Sequence, residues 1–198
     1  MEEMKQRPAA KLTDDLRFDQ MRVLGDLGRR YTIVNRFAEA EASHQDGLRL
    51  IDGFREQLES NKAAWNATAY LQLGMVAQEQ RLWGKAKDYY NQALAIKVEY
   101  EDRHIQAATL HQLGMVAEEQ RKWAQAKNYY KQALDIYVES KDRYSQAGTL
   151  RQLGMFAQKQ RRWARAKQYY QQALAIYVES KDRYEQASTL HGLGTVAQ

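Results

Sequence analysis

The residues that could carry catalysis are few in this chain, and their spacing does not bring them together. There is no cysteine, which excludes disulfides, thiolate metal sites and a cysteine nucleophile. The four histidines are His44, His104, His111 and His191. His104 and His111 are two helical turns apart, roughly 10 Å along a helix, which is too far for a shared metal ion. Glu118 and Glu119 are adjacent and would point about 100° apart on a helix.

The chain also lacks the short patterns that mark common active sites. It contains no G-x-S-x-G sequence, no phosphate-binding glycine loop and no H-E-x-x-H sequence. We therefore predict that the protein is not an enzyme, and that it has no metal site, no cofactor and no small-molecule substrate.

The dominant feature of the sequence is an internal repeat. One 40-residue unit is written three times between residues 67 and 186, and it begins again at Ala187. The copies that begin at Ala107 and Ala147 are identical at 29 of 40 positions. A fixed period of this length is typical of stacked supersecondary units rather than of one globular core. Because good helix formers dominate, with 11 glycines and one proline, we predict an all-α fold.

Each unit contains two stretches with the spacing of an amphipathic helix, as the copy that begins at Ala107 illustrates. The first set is Leu110, Leu113, Gly114 and Ala117, and the second is Trp123, Ala126, Tyr130, Ala133 and Leu134. The residues between the two sets, Gln120–Lys122, are predicted to form the turn of an antiparallel hairpin. An Asp-Arg pair at 102–103, 142–143 and 182–183 precedes each new hairpin, and aspartate is a preferred N-cap. At Asp182, Glu185 would complete a variant of the capping box.

The order of these residues resembles the tetratricopeptide repeat, in which a Leu-Gly pair marks the first helix and alanines around an aromatic residue mark the second. The matching positions recur around Gly74 and Gly154, and a diverged copy surrounds Gly28. The 40-residue, Asp-Arg-linked form is similar to the repeats of Pins-type spindle-orientation adaptors and of bacterial multidomain proteins. The resemblance implies a right-handed α-solenoid of antiparallel helix pairs that serves protein–protein interaction.

The repeat boundaries predict how the chain is organised. Residues 1–14 are predicted to be a flexible leader, and residues 15–198 a single tetratricopeptide-like array. The predicted hairpins cover about 15–60, 61–102, 103–142 and 143–182, and a lone first helix of a fifth copy covers 183–198. That last helix keeps the apolar face that elsewhere meets its hairpin partner. We therefore expect it to pair with another copy of the chain or to continue into a longer array.

In arrays of this family, the face of each first helix opposite its leucines lines a concave groove, so the resemblance implies a peptide-binding groove there. The candidate groove residues are Leu71, Gln72, Met75, Glu79, His111, Gln112, Met115, Glu119, Arg151, Gln152, Met155 and Lys159. Methionine is adaptable, and glutamine both donates and accepts hydrogen bonds, which suits an extended peptide. The alternative is that near-identical copies retained these residues and that the methionines pack between neighbouring helices.

A second candidate surface is the basic stretch in the last complete unit. Its cations are Lys159, Arg161, Arg162, Arg165 and Lys167. Such a cluster could bind an acidic partner or a phosphate backbone. The alternative is an ordinary solvated turn, and the sequence favours it because the equivalent stretch of the previous unit, 119–127, is much less basic.

The aromatic residues recur at fixed positions and are predicted to belong to the core rather than to a base-stacking surface. Each second helix begins with a tryptophan and carries a Tyr-Tyr pair, of which the second member falls on the apolar face. These residues are Trp83, Trp123 and Trp163, and Tyr90, Tyr130 and Tyr170.

These patterns together predict a cytoplasmic interaction scaffold that binds a protein or peptide segment in the groove. No apolar run approaches the ~20 residues of a membrane span, and the N-terminus lacks the apolar region of a signal peptide. The alternatives are a structural spacer or self-assembling array that associates through its C-terminal helix, and a binder of acidic partners or nucleic acid through the basic fourth hairpin. The net charge of +5 makes nucleic acid the less favoured partner.

Overall fold

The computed structural model describes residues 9–52, 59–96 and 103–196. Within these ranges lie α1 (Ala9–Ile33), α2 (Phe37–Asp52), α3 (Glu59–Glu79), α4 (Trp83–Ala95), α5 (Arg103–Glu119), α6 (Trp123–Glu139), α7 (Arg143–Lys159), α8 (Trp163–Glu179) and α9 (Arg183–Val196). The described ranges contain no strand, so the all-α prediction is confirmed. None of the described helices combines the length and the low polarity that crossing a membrane requires.

The helix boundaries follow the repeat closely. The first helices of the later copies begin at 103, 143 and 183, as predicted from the Asp-Arg pairs. Helix α1 begins at Ala9, inside the predicted leader, while residues 1–8 lie outside the described part of the chain. The chain divides after Ile105 into two compact units. Unit 1 contains α1 to α4, and unit 2 contains most of α5 together with α6 to α9.

The helix connections are closed by a tight backbone turn that usually uses glycine. At the α5–α6 turn, the Lys122 amide donates to the Ala117 carbonyl at 2.8 Å and the Arg121 amide to the Glu118 carbonyl at 2.9 Å. This pair of bonds is the Schellman arrangement, which requires a left-handed residue after the helix. Arginine, lysine or asparagine takes that conformation here, with φ between 57° and 59°, at Asn35, Arg81, Arg121, Lys141, Arg161 and Lys181.

Two helices of a hairpin approach closely where a glycine faces an aromatic ring. Gly114 of α5 lies against Tyr130 of α6, and a Cβ atom at Gly114 would be only 2.5 Å from the ring Cε1. Tyr130 is completely buried, and its hydroxyl donates to Glu118 at 2.8 Å, so the buried phenol keeps a partner. The same contact recurs as Gly74–Tyr90 and Gly154–Tyr170. The Leu-Gly motif therefore sets the distance between the helices.

The aspartate caps form where the structure describes them. Asp142 accepts the Ser145 amide at 3.0 Å, and Asp182 accepts the Glu185 amide at 3.0 Å. The predicted capping box at Asp182 is wrong in its second half, because the Asp182 amide already donates to the Tyr177 carbonyl. The Glu185 carboxylate instead lies 3.2 Å from Arg151 of α7. Asp102 lies outside the described residues.

The expectation that the tryptophans are core residues is wrong for two of them. Trp123 is 38% exposed and Trp163 is 47% exposed, while the second tyrosine of each pair is buried as predicted. Both tryptophans occupy the first position of their helix, beside the turn, where few neighbours surround them. Trp123 packs on one side against Phe156, with the ring centroids 6.0 Å apart.

We expect Gly114→Ala to destabilise unit 2 by roughly 1–3 kcal/mol, because the new methyl group must displace the buried Tyr130 ring. The matched control is Gly194→Ala in α9, where a Cβ meets nothing within 4 Å. That change should be neutral or stabilising by up to about 1 kcal/mol, through helix propensity. Urea unfolding followed by circular dichroism measures both. Equal shifts in the two variants would show that the glycine does not set the helix spacing.

Candidate functional site

In unit 2, several predicted groove residues are engaged in packing one repeat against the next. Glu118 of α5 is buried, and it accepts hydrogen bonds from Tyr130 and, at 3.3 Å, from Gln152 of α7. The Lys159 ammonium, also on α7, lies 2.7 Å from the other Glu118 oxygen and 3.6 Å from exposed Glu119. Gln152 and Lys159 therefore join α7 to α5 through Glu118, and a ligand that used them would have to break these contacts.

Two further predicted groove residues, Arg151 and His111, also contact a neighbouring repeat. Arg151 of α7 forms an ion pair with Glu185 of α9 across 3.2 Å, a charge contact without the alignment of a hydrogen bond. His111 of α5 shares a 3.2 Å hydrogen bond with Thr149 of α7. Since the Thr149 hydroxyl donates to the Ser145 carbonyl, His111 Nδ1 is the donor to Thr149. Burial, together with Arg151, lowers the pKa of His111 to about 4, so its ring is neutral near pH 7.

The remaining groove candidates of unit 2 differ in how open they are. Met155 is 37% exposed and Met115 is half-buried. Gln112 is half-buried as well. Met115 also packs against the cluster that contains Tyr130 and Phe156. The open surface of this face in unit 2 is thus smaller than the sequence predicted.

In unit 1, the predicted groove residues of α3 separate into three environments. Leu71 is buried, so its assignment to a groove surface is wrong; the residue contributes to the core. Glu79 is exposed and Met75 is half-buried. Gln72 lines a cavity of about 180 Å³ between α1, α2 and α3. This cavity is the candidate site of unit 1 that includes a predicted groove residue.

The cavity combines apolar walls with a few polar groups. Met21, Ile51 and Trp65 contribute apolar surface. Arg22 and Arg29 of α1 also line it, beside Gln72 of α3. Arg22 lies 3.7 Å from Asp19 on the same exposed surface, and Arg29 pairs with Asp26. A concave apolar site with a small number of polar groups is the usual form of a site that takes one side chain or small group.

The cavity exists because the first repeat has lost bulk at two positions. Gly25 occupies the position held by Leu71, His111 and Arg151 in the later copies, and Gly47 the position held by Ala93, Ala133 and Ala173. Both glycines line the cavity. A Cβ at Gly47 would meet nothing within 4 Å, and one at Gly25 would meet only the end of Arg29. Two glycines in otherwise conforming helices were the sequence signal for this site.

His44 takes the place of the buried tyrosine in this repeat. Its ring lies against Gly28 just as Tyr130 lies against Gly114, and the residue is 4% exposed. No described group bonds to Nε2, whereas the later tyrosines reach Gln78, Glu118 or Gln158. Burial, aided by the nearby Arg29 charge, lowers the pKa of His44 from 6.5 to about 4. The cavity is therefore lined by a neutral imidazole.

The predicted basic patch contains one ion-paired lysine and four exposed cations. Lys159 is held by Glu118 and Glu119, so it is not part of a free cationic surface. Arg161, Arg162, Arg165 and Lys167 are all exposed. Arg162 and Arg165 line a shallow crevice that also contains Lys127 of α6 and Tyr169 of α8. Sequence reasoning missed Lys127, because it belongs to the preceding copy.

The described residues contain no cluster of three or more histidine, cysteine, aspartate or glutamate side chains that could hold a metal ion. The polar and aromatic groups gathered at the cavity and at the crevice are guanidinium, ammonium, amide, hydroxyl, imidazole and aromatic side chains.

Comparison with known proteins identifies the repeat. The sequence profile described as "Tetratricopeptide repeat" matches residues 65–138 and 145–198. Among solved structures, BtubC (BKLC) from P. vanneervenii is 19% identical, with a TM-score of 0.75 over 95% of this chain and 83% of that one. A putative kinesin light chain with TPR-like repeats from Podosopora anserina is 15% identical, with a TM-score of 0.68 over 89% and 84%.

The apo form of RapI is 18% identical to this chain, with a TM-score of 0.72, and 89% of this chain covers 62% of RapI. These likenesses show the fold, and they confirm the predicted tetratricopeptide-like solenoid. No curated protein matches the sequence.

We expect the stability of the α1–α2 hairpin to fall as the pH falls from about 6.5 toward 4. The unfolded chain protonates His44 with its ordinary pKa of 6.5, whereas the folded chain resists protonation down to about 4. His44→Phe keeps a ring against Gly28 but removes the imidazole whose protonation causes the pH dependence. Hydrogen exchange of the α1 and α2 amides, corrected for intrinsic rates, measures the effect. An identical pH dependence in both proteins would contradict the assignment of a buried neutral His44.

Proposed function

The chain belongs to the tetratricopeptide repeat family, and from this premise we propose that it binds a segment of a partner protein on the first-helix face of unit 1. Tetratricopeptide repeats are in general protein-interaction scaffolds, and the fold is typically non-enzymatic. The single observation that carries the proposal is the cavity between α1, α2 and α3.

The size and lining of the cavity suit one apolar side chain. A cavity of roughly 150 Å³ is enough to hold a benzene-sized group, and this one measures about 180 Å³. Met21 and Trp65 are adaptable or planar apolar partners for such a group. Because His44 is neutral, it adds no charge that an incoming apolar side chain would have to displace.

The polar residues of the cavity favour an acidic neighbour beside that anchor. Arg22 and Arg29 lie on α1, and each has a carboxylate partner on the exposed surface, Asp19 and Asp26. Exposed pairs of this kind contribute about 0–1 kcal/mol, so a ligand carboxylate can replace them at small cost. Gln72 can both donate to and accept from a peptide backbone. The expected ligand is thus an extended segment with an apolar residue next to aspartate or glutamate.

In unit 2, fewer of the predicted groove residues are available to contact a peptide. Met115 and Met155 remain the adaptable apolar residues of this face, and exposed Glu119 adds a carboxylate. Arg151, Gln152 and Lys159 are engaged with neighbouring repeats. We therefore place the primary contact of the proposed ligand at the cavity of unit 1.

The decisive variant is Gly47→Leu, which fills the cavity from α2. Its Cβ enters open space, and a leucine in place of a helical glycine should raise stability by about 1 kcal/mol. Peptides selected from a random display library on the wild-type chain should carry the predicted apolar-acidic pattern. They should bind Gly47→Leu at least about tenfold more weakly, a loss of roughly 1.4 kcal/mol of binding free energy.

The matched control is Gly84→Leu at the start of α4, where a Cβ also meets nothing within 4 Å and the residue is exposed. It makes the same chemical change in the same unit but away from the cavity. Peptide affinities for this variant, measured by fluorescence anisotropy, should equal those for the wild type. Selected peptides that bind Gly47→Leu and the wild type equally would overturn the cavity as the anchor. A failure to select any peptide would favour a spacer role.

A further inference from the structure

Unit 2 carries a cluster of exposed cations on its second helices and in the turn that precedes α8. We name as the basic edge Lys127, Arg161, Arg162, Arg165 and Lys167, all of which are exposed. Lys127 of α6, Arg162 in the turn before α8 and Arg165 of α8 line the same crevice, so positive groups from two successive repeats meet there. Neither 120–134 nor 160–178 contains an aspartate or a glutamate.

The cations of the basic edge are not neutralised within the described part of the chain. Other cations of unit 2 do have acidic partners: Arg143 lies 2.8 Å from Glu179, and Arg151 pairs with Glu185. No ion pair within the described residues involves any member of the basic edge. Like charges held close together repel one another, and the N-termini of α6 and α8 add further positive partial charge. An anionic partner would relieve this repulsion.

Aromatic surface is interleaved with these charges. Trp163, 47% exposed, begins α8 between Arg162 and the rest of the cluster, one turn before Lys167. Trp123, 38% exposed, holds the equivalent position on α6. Tyr169 lines the crevice itself. Tryptophan, tyrosine and arginine are the residues in which protein–protein hot spots are enriched.

We propose that the basic edge binds an acidic segment of a partner protein, with carboxylates on Arg162, Arg165 and Lys127 and an apolar residue against Trp163. Arginine forks pair with carboxylates through two parallel hydrogen bonds. This surface belongs to unit 2 and shares no residue with the cavity of unit 1. It adds a second binding activity to the proposed scaffold.

The boundaries of the basic edge favour a protein segment over a nucleic acid. Glu119 at the end of α5, Asp135 and Glu139 on α6 and Glu179 on α8 surround it along the chain. A phosphate backbone that followed α6 or α8 toward its C-terminal end would leave the cations and reach these carboxylates, whereas a short acidic segment can end at the edge. Nucleic-acid surfaces are usually longer positive tracks, and this chain has a net charge of only +5.

The probe for the test is a fluorescein-labelled peptide of four Glu-Glu-Phe repeats, titrated with the full chain and followed by anisotropy. We expect it to bind at low ionic strength and to weaken as salt is added. Arg162→Glu with Arg165→Glu should weaken binding at least about tenfold, because both carboxylate contacts become repulsive. A peptide of four Glu-Glu-Ser repeats should bind more weakly than the phenylalanine peptide, because it lacks the group that meets Trp163.

The matched control reverses two exposed lysines of the same unit, Lys141→Glu with Lys181→Glu, in the turns at the other end of the hairpins. This control makes the same change in net charge and should alter peptide affinity no more than about twofold. If the arginine reversal lowers the thermal stability, Arg162→Gln with Arg165→Gln replaces it. Equal weakening in the control and the edge variant would overturn the proposal, as would the absence of peptide binding at low salt. A uridine nonamer, with the same eight charges, that bound more tightly and was blocked by the edge variant would assign the surface to nucleic acid instead.

Discussion

The architecture depends on the close approach of two helices at a glycine that faces a buried aromatic ring. Gly114 and Tyr130 illustrate the constraint: the ring fills the space that a side chain at position 114 would need. The buried hydroxyl must then find an acceptor, and it finds Glu118 one helical turn further along α5. Glu118 in turn attracts Gln152 and Lys159 from the next repeat. Packing within one hairpin thus determines which polar groups are available to join it to its neighbour.

The same constraint explains the cavity of the first repeat. When His44 replaces the tyrosine, the ring still lies against Gly28, but it has no hydroxyl to bond to the facing helix. Gly25 and Gly47 remove bulk on either side, and the space is left open rather than filled by a shift of α1. The first repeat thus departs from the pattern at Gly25, His44 and Gly47, keeps its helices and gains the cavity. This is how an array of near-identical hairpins can acquire a site in one of them.

Much of the fold was predictable because the repeat presents the same signals several times. The helix starts at 103, 143 and 183 followed from the Asp-Arg pairs, and the buried tyrosines followed from their spacing to alanines on one helical face. The tryptophans were mispredicted because helical periodicity indicates a direction but not how many neighbours lie there. At the first position of α8, Trp163 extends past the end of the packed face. Leu71 was mispredicted for the converse reason, since a residue opposite the leucines can still be covered by another helix.

The candidate sites were less predictable, because they depend on contacts between copies. The sequence placed Lys159 in a basic stretch, yet its partner Glu118 lies on another helix. The other copies lack both members of this pair. The position of Lys159 holds Glu79 or Glu119, and the position of Glu118 holds Gln78 or Gln158. Residues that the three near-identical copies share carry the packing, as Gly114 and Tyr130 do. Residues that differ between copies carry what is particular to one place in the chain: a glycine pair that leaves a cavity, an ion pair that joins two chosen neighbours, or Arg165 in place of Gln125 at an exposed crevice. In a chain built by duplication, the differences between copies are therefore the strongest guide to function.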